Sequence, residues 1–205
     1  MRTPLPRIHA VTDERIARQA TLGVLAAALT RGAGSDLALH ARGHALAGRE
    51  HYALACTLGA CAPALLFVSD RLDVALVCHA TGVQLAWTRW APAEARRLER
   101  AWWIGCSVHR LDEAEAARSG GADYLLLGPM FPTRTHPEHR PLESSTVRQV
   151  VALGLPVIAI GGVEHTHVGE LVAAGFYGVA AIRSLWDAPD PEDAARSFQA
   201  AWAHA

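Results

Sequence analysis

The chain has 205 residues, enough to bury one hydrophobic core and short for two, so we expect a single domain over residues 1–205. Hydrophobic residues make up 51% and charged residues 19%, and the formal net charge of -1 gives no attraction to nucleic acid or membrane surfaces. No run approaches the roughly 18 apolar residues of a membrane span, no signal peptide is visible and the cysteines lack zinc-ligand spacing, so we expect a reduced, cytoplasmic protein.

Short apolar runs predict strands at Arg7–Val11, Asp36–His40, Ala64–Val68, Gly82–Leu85, Trp103–Ser107, Tyr124–Gly128, Pro156–Ile160 and Gly178–Ile182. Helical spacing predicts helices at Arg15–Thr30, Gly48–Ala60, Asp70–His79, Pro92–Arg100, Leu111–Arg118, Ser144–Ala152, Thr166–Ala174 and Pro191–Trp202. Strict alternation implies parallel strands joined by crossover helices. The number of units, and the absence of a dinucleotide fingerprint after the first strand, favour an α/β fold with a single (β/α)8 TIM barrel over an open sheet.

Candidate functional residues in such a barrel follow the carboxyl ends of the strands. Gly161 and Gly162 follow strand seven, where paired glycines let backbone N–H groups approach an oxyanion closely. Arg183 and Ser184 follow strand eight and complete the phosphate site that recurs in this fold. The alternatives are a glycine pair that only makes a tight turn, and an arginine that points to solvent.

Two further strand ends carry groups suited to catalysis or metal binding. Ser107 and His109 follow strand five on one side of the pleat, where the hydroxyl can bind a heteroatom and the imidazole can transfer protons. The alternative is a capping serine and a surface histidine. Asp70 follows strand three and is a candidate Mg²⁺ ligand, or else a carboxylate at a helix N-terminus.

The segment after strand six is the longest loop, about fifteen residues with four prolines, and a loop of this length is usually functional. It carries Thr133, Thr135 and His136, which we expect over the phosphate site, although it could be only a solvated proline-rich loop. His40 and Arg42, after strand two, are further candidates at the rim. Surface or helical positions are expected for His44, His51, His79, His165, His167 and His204.

Several segments resemble the thiamine-phosphate synthase/TenI superfamily: SVHRLDEAEAA, GADYLLLGPMFPTRTH, PVIAIGG and AAGFYGVAAI. The resemblance extends from about Arg7 to the last helix. It implies a (β/α)8 barrel, a homodimer, and a small-molecule thiazole phosphate held by the loops after strands seven and eight. It also implies one of two chemistries. Synthases couple hydroxymethylpyrimidine diphosphate to thiazole phosphate with Mg²⁺ and release pyrophosphate, whereas TenI-type tautomerases aromatise a thiazole carboxylate phosphate by proton transfer.

Comparison with the synthase pattern indicates losses at the diphosphate end. A synthase usually has Gln, Arg and Lys at alternating positions after strand two, and we match these to Ala38, His40 and Arg42. Asp70 matches the first of two acidic Mg²⁺ ligands. The second is missing, with Thr88 at its expected position.

Other positions divide between the two patterns. The lysine that synthases have in the strand-six loop is matched by His136, and Gln84 with the Ser107–His109 segment resembles TenI. Pro129, however, stands where some tautomerases have a histidine.

The sequence alone therefore favours a TenI-like thiazole tautomerase that needs no cofactor, with His109 and His136 as candidate proton-transfer groups. The alternative is a thiamine-phosphate synthase that requires Mg²⁺. A third hypothesis is a non-catalytic protein that senses a phosphorylated ligand.

Overall fold

The computed structural model describes residues 2–86, 89–133 and 140–205. Its strands form a closed barrel in which every strand is parallel to the next along the chain, and β8 pairs with β1. The strands are β1 Ile8–Val11, β2 Leu37–Ala41, β3 Leu65–Ser69, β4 Gly82–Ala86, β5 Trp103–Val108, β6 Tyr124–Leu127, β7 Val157–Ile160 and β8 Gly178–Ala181. The predicted (β/α)8 barrel is confirmed, and each strand end differs from its prediction by at most one residue.

Helices connect the strands around the outside of the barrel. They are α1 Glu14–Ala17, α2 Leu22–Ala33, α3 Gly48–Ala60, α4 Leu72–Val77, α5 Pro92–Leu98, α6 Leu111–Ser119, α7 Ser144–Val151, α8 Val168–Ala173, α9 Arg183–Trp186 and α10 Pro191–Ala203. Two short 3-10 turns, Gly34–Asp36 and His165–His167, precede β2 and α8. Among the described residues, none of the helices has both the length and the apolar character needed to cross a membrane.

The structure corrects two of the predicted helices. The segment predicted as one helix from Arg15 to Thr30 is two: α1 ends at Ala17 and α2 begins at Leu22. The predicted helix from Asp70 to His79 begins instead at Leu72, because Asp70 has a φ of 57°, which an α-helix cannot contain.

The hydrophobic core has two layers, as the alternation of side chains along each strand requires. The outer layer packs the helices against the outward faces of the strands. The inner layer fills the barrel with Val11, Ala38, Leu65, Phe67, Tyr124, Leu126, Ile158 and Ala180. Because the interior is packed with side chains, only residues at or beyond the carboxyl ends of the strands can reach a ligand.

Candidate active site at the carboxyl end of the barrel

The loop after β7 is shaped to fit the loop after β6. Gly161 and Gly162 have φ values of 94° and 68°, in the left-handed region that favours glycine. A Cβ on Gly161 would lie 2.7 Å from Cα of Pro129, and one on Gly162 would lie 2.5 Å from the carbonyl oxygen of Pro132. The Phe131 amide also donates to the Gly161 carbonyl at 2.9 Å. The glycine pair is therefore needed for the contact between the two loops as well as for any approach of a phosphate.

A ring contact closes the same two loops further out. The rings of Phe131 and His167 stack with centroids 3.9 Å apart and an interplanar angle of 19°. His167 Nδ1 accepts from the Glu164 amide at 3.2 Å, which fixes the orientation of the imidazole. The sequence indicated only a helical or surface position for His167, because nothing in a local pattern identifies a stacking partner on another loop.

Ser184 joins the loop after β8 to the loop after β7. Its hydroxyl donates to the carbonyl oxygen of Val163 at 2.7 Å. A hydroxyl has one proton to donate, so Ser184 in this arrangement can only accept from a further partner. Arg183 is the first residue of α9 and is exposed. The structure thus places Ser184 beside the Gly161–Gly162 loop and gives its hydroxyl a structural role there, while the phosphate contact predicted for the exposed Arg183 stays a prediction.

His109 stands at the carboxyl end of β5 with a defined tautomer. Its Nδ1 lies 2.6 Å from the carbonyl oxygen of Gly128, and a carbonyl oxygen can only accept, so Nδ1 carries the proton. In the neutral ring Nε2 is then a free-base nitrogen. The His109 amide donates to the nearly buried carboxylate of Glu113 at 2.7 Å, which anchors the backbone. His109 can accordingly accept a proton or a hydrogen bond through Nε2.

Ser107 lies two residues before His109 on β5, and Gln84 reaches it from the neighbouring strand β4. The Gln84 side-chain amide donates to the Ser107 hydroxyl at 3.0 Å. The side-chain oxygen of Gln84, Oε1, is buried and has no hydrogen-bond partner among the described residues. Gln84 therefore offers a buried hydrogen-bond acceptor near the carboxyl end of the barrel. The sequence indicated only that Gln84 resembles the TenI pattern.

His40 is not at the rim, which corrects the sequence-based prediction. Its side chain is 0% exposed and lies inside the barrel, where Nε2 is 2.7 Å from Nδ1 of His9. Burial lowers the pKa of His9 to about 4, against the raising effect of its bond to the Pro6 carbonyl. Burial also holds the pKa of His40 well below its usual value, and the neighbouring His9 and Arg42 add to this. Both histidines are therefore neutral near pH 7.

The residues that can reach a ligand after β2 lie two positions further along the chain than those matched to the diphosphate-binding residues of synthases. Ala38 is fully buried in the inner core, and β2 ends at Ala41. Beyond this end, Arg42 and His44 lie at the rim, with the Arg42 guanidinium 2.6 Å from Nε2 of His44. The rim positions of this strand are therefore Arg42, as predicted, and His44, for which the sequence indicated a surface or helical position without a role.

The surroundings of Arg42 hold its guanidinium at the rim. Burial lowers the pKa of Arg42, and three nearby carboxylates, those of Glu14, Asp13 and Asp70, oppose this. The backbone on either side of the side chain is fixed by Thr12, whose hydroxyl donates to the Arg42 carbonyl at 2.8 Å. Arg42 is thus a partly buried cation in a defined position.

Asp70 connects β3 to the loop after β4. One oxygen of its carboxylate accepts from the Ala86 amide at 2.7 Å, and the Trp90 indole donates to the Asp70 carbonyl at 3.0 Å. The Asp70 amide donates in turn to the Gln84 carbonyl at 3.0 Å. Asp70 therefore holds this loop against β3 through hydrogen bonds. The sequence suggested a Mg²⁺ ligand or a carboxylate at a helix N-terminus, and neither role includes these bonds.

A divalent metal ion fits this end of the barrel poorly. Among the described residues, no three His, Cys, Asp or Glu side chains form a group that could hold a metal. Asp70 already uses one carboxylate oxygen, and the sequence AWTRWA of residues 86–91 contains no carboxylate. If Asp70 bound a metal ion as predicted, the β4 loop would supply no second carboxylate to the ion.

Some predicted site residues lie outside the described part of the chain, namely Thr135, His136 and Thr88. Thr133 is described and is half-buried beside this segment. Their predicted roles stay predictions.

Comparison with known proteins shows to which family the chain is similar. The family model described as "Thiamine monophosphate synthase" matches residues 8–185. A protein named thiamine-phosphate synthase from Methanoculleus marisnigri is 35% identical over 198 residues, covering 94% of this chain and 93% of its own. One of the same name from Methanospirillum hungatei is 41% identical over 140 residues, covering 66% of this chain and 67% of its own.

A solved structure shows that the similarity extends to the fold. The thiamine phosphate pyrophosphorylase from Pyrococcus furiosus superposes with a TM-score of 0.81 at 30% identity, covering 97% of this chain and 96% of that one. The chain therefore belongs to the thiamine-phosphate synthase family, an enzyme family of thiamine biosynthesis built on the TIM barrel.

Proposed function

We propose that this protein is a thiamine-phosphate synthase, which couples hydroxymethylpyrimidine diphosphate to thiazole phosphate and releases pyrophosphate. The observation that carries the proposal is the near full-length similarity to the Methanoculleus marisnigri protein of that name. The sequence alone favoured the tautomerase, and the comparisons favour the coupling reaction instead. Pro129 supports the same choice, since it stands where some tautomerases have a histidine and instead packs against Gly161.

The two ends of the mouth suit the two substrates. The Gly161–Gly162 loop and the Arg183–Ser184 loop would hold the thiazole phosphate, while Arg42 would face the diphosphate. In the coupling step the diphosphate leaves with both electrons of the carbon–oxygen bond, so its growing negative charge has to be stabilised. Arg42 offers a charge-assisted hydrogen bond for this purpose.

His109 follows β5, which lies between β2 and β7 in the strand order of the barrel. Its unprotonated Nε2 would accept a hydrogen bond from a polar group of the pyrimidine or the thiazole and so orient the ring. Orientation of two reactants in a shared site accounts for a large part of the rate of bimolecular couplings. No proton has to be transferred for a thiazole nitrogen to form the new bond, which is consistent with a histidine that positions a substrate.

The direct test is a coupling assay with the purified full-length chain and both substrates, at saturating Mg²⁺ and in excess chelator, with thiamine phosphate as the measured product. We expect product formation, and a loss of at least roughly tenfold in the variant Gly162→Ala, whose new methyl group would collide with the neighbouring loop. The exposed Arg97→Ala in the last turn of α5 is the matched control. Absence of product in both conditions, together with acceleration of thiazole aromatisation, would replace the synthase by the tautomerase.

A further inference from the structure

The loop after β4 carries a cation directly after Thr88, the position where a synthase has its second carboxylate. Arg89 is the charged residue of the AWTRWA sequence at residues 86–91. Its neighbours fix its place: the Arg89 amide donates to the Ala86 carbonyl at 3.2 Å, and both Ala86 and Trp90 hydrogen-bond to Asp70. Arg89 is exposed. It therefore projects from a turn that is fastened to the carboxyl end of β3.

A second cation lies at the adjoining rim. Arg42 follows β2, and β2 and β3 are neighbours in the barrel, as are β3 and β4. His44 interacts with both arginines. The Arg42 guanidinium contacts its Nε2 at 2.6 Å, and burial together with Arg42 and Arg89 lowers its pKa, although Glu14 and Asp70 act in the opposite direction. His44 is thus a neutral acceptor that orients Arg42 and not a competing cation.

We propose that Arg42 and Arg89 form a guanidinium pair that binds a diphosphate group without a divalent metal ion. The site rests on the proposed function only for the identity of the molecule that carries the diphosphate. Guanidinium groups match phosphate oxygens in geometry and keep their charge at all relevant pH values. A metal-bridged site needs carboxylates to hold the ion, whereas Arg89 makes this loop positive, which repels a cation and attracts the anion directly.

Asp70 is compatible with this pair. Its carboxylate already accepts from the Ala86 amide and balances part of the charge of Arg42. This carboxylate lies close enough to Arg42 to raise the pKa of its guanidinium, and so it offsets part of the positive charge of the pair in the free protein. The pair therefore supplies the neutralisation that an ion held by two carboxylates would provide.

The test is calorimetric titration of the full-length protein with inorganic pyrophosphate, in excess chelator and again with Mg²⁺. We expect binding in chelator, with a Kd that Mg²⁺ changes by less than tenfold. Arg89→Ala should weaken metal-free binding by roughly tenfold or more, because a charge-assisted contact is lost, and the control Arg97→Ala should not. Arg89→Asp should make binding dependent on Mg²⁺, since it replaces a cation by a carboxylate in the loop that Asp70 holds through Ala86 and Trp90.

Binding only in the presence of Mg²⁺, or equal metal-free affinity of Arg89→Ala and the unmodified protein, would overturn the inference. Thermal unfolding of each variant shows whether the fold is retained, and the exposure of Arg89 leads us to expect unchanged melting. The outcome is distinguishable from a failure of the proposed function. Metal-free pyrophosphate binding without coupling activity would reject the synthase alone, whereas strictly Mg²⁺-dependent coupling unaffected by Arg89→Ala would reject the guanidinium pair alone.

Discussion

His9 and His40 form a hydrogen-bonded pair inside the barrel, with Nδ1 of His9 2.7 Å from Nε2 of His40. The contact between His9 and the Pro6 carbonyl determines the tautomers of both histidines. Nε2 of His9 lies 3.0 Å from the Pro6 carbonyl, so it donates there and leaves Nδ1 as the acceptor. Nε2 of His40 must then carry the proton, and its Nδ1 is buried without a partner among the described residues.

This pair predicts a specific loss of stability in mild acid. Between about pH 6.5 and 4 the unfolded chain takes up protons on these histidines and the folded chain does not, so the free energy of unfolding falls as the pH falls. For His9 alone the loss is about 3 kcal/mol by pH 4, and it is absent above the unfolded pKa. Urea unfolding across this range measures it.

The variant His9→Asn isolates the effect. Because the buried hydrogen bonds of the His9 imidazole are altered, we expect a lower free energy of unfolding at pH 7.5. Because Asn cannot take up the proton, we expect a shallower decline of this free energy toward pH 4.5. His204→Asn, at an exposed position near the C-terminus, should follow the unmodified protein. Parallel curves for His9→Asn and the unmodified protein would show that the buried pair does not titrate as its burial requires.

The glycine pair after β7 allows backbone strain and steric collision to be separated. Gly161→Ala and Gly154→Ala both place an alanine at positive φ, but only the first meets Pro129, since a Cβ on Gly154 has nothing within 4 Å. We expect Gly154→Ala to cost about 1 kcal/mol and to leave thiazole phosphate binding unchanged. Gly161→Ala should cost more and weaken binding at least roughly tenfold, because the β6 loop has to move. Equal effects of the two substitutions on binding would contradict this.

The sequence predicted residues within the periodic strands well, and it predicted residues in the short loops poorly. The strands were predicted closely because buried parallel strands are continuous apolar runs. His40 was misplaced because periodicity shows which face a residue takes but not its height in the barrel, and two residues move a side chain by about 6–7 Å along the strand. His44 and Arg89 were missed because they lie in short loops without periodicity, where only the three-dimensional arrangement relates them to Arg42.

Two cysteines, one on α3 and one directly after α4, predict a chemical cross-link. Sγ of Cys56 on α3 lies 3.6 Å from Sγ of Cys78, which directly follows α4. Cys56 is exposed, while burial raises the pKa of Cys78 to about 11, so the exposed thiol is the one that reacts first. With diamide as oxidant, the two thiols lose two protons and two electrons to the reagent and form one disulfide.

Mass spectrometry of tryptic peptides without reduction detects this bond. We expect a Cys56–Cys78 peptide pair in the unmodified protein and in Cys61→Ser, and none in Cys56→Ser. A different pairing, or a cross-link between two chains, would contradict the proximity of these thiols. The cross-link also provides a test of whether movement between α3 and α4 is needed for activity.

Asp70 allows its structural role to be separated from its charge. Asn retains an oxygen that can accept from the Ala86 amide and tolerates positive φ, whereas Ala removes the acceptor and is strained at a φ of 57°. We therefore expect Asp70→Asn to lie within about 0.5 kcal/mol of the unmodified protein in urea unfolding, and Asp70→Ala to lose about 1–3 kcal/mol. Metal-free pyrophosphate binding should be equal or tighter in Asp70→Asn, because an anion that opposes the ligand is gone while Arg42 and Arg89 remain. If Asp70→Asn instead abolishes pyrophosphate binding at every Mg²⁺ concentration, the carboxylate itself holds the ligand through an ion, and the guanidinium pair does not replace it.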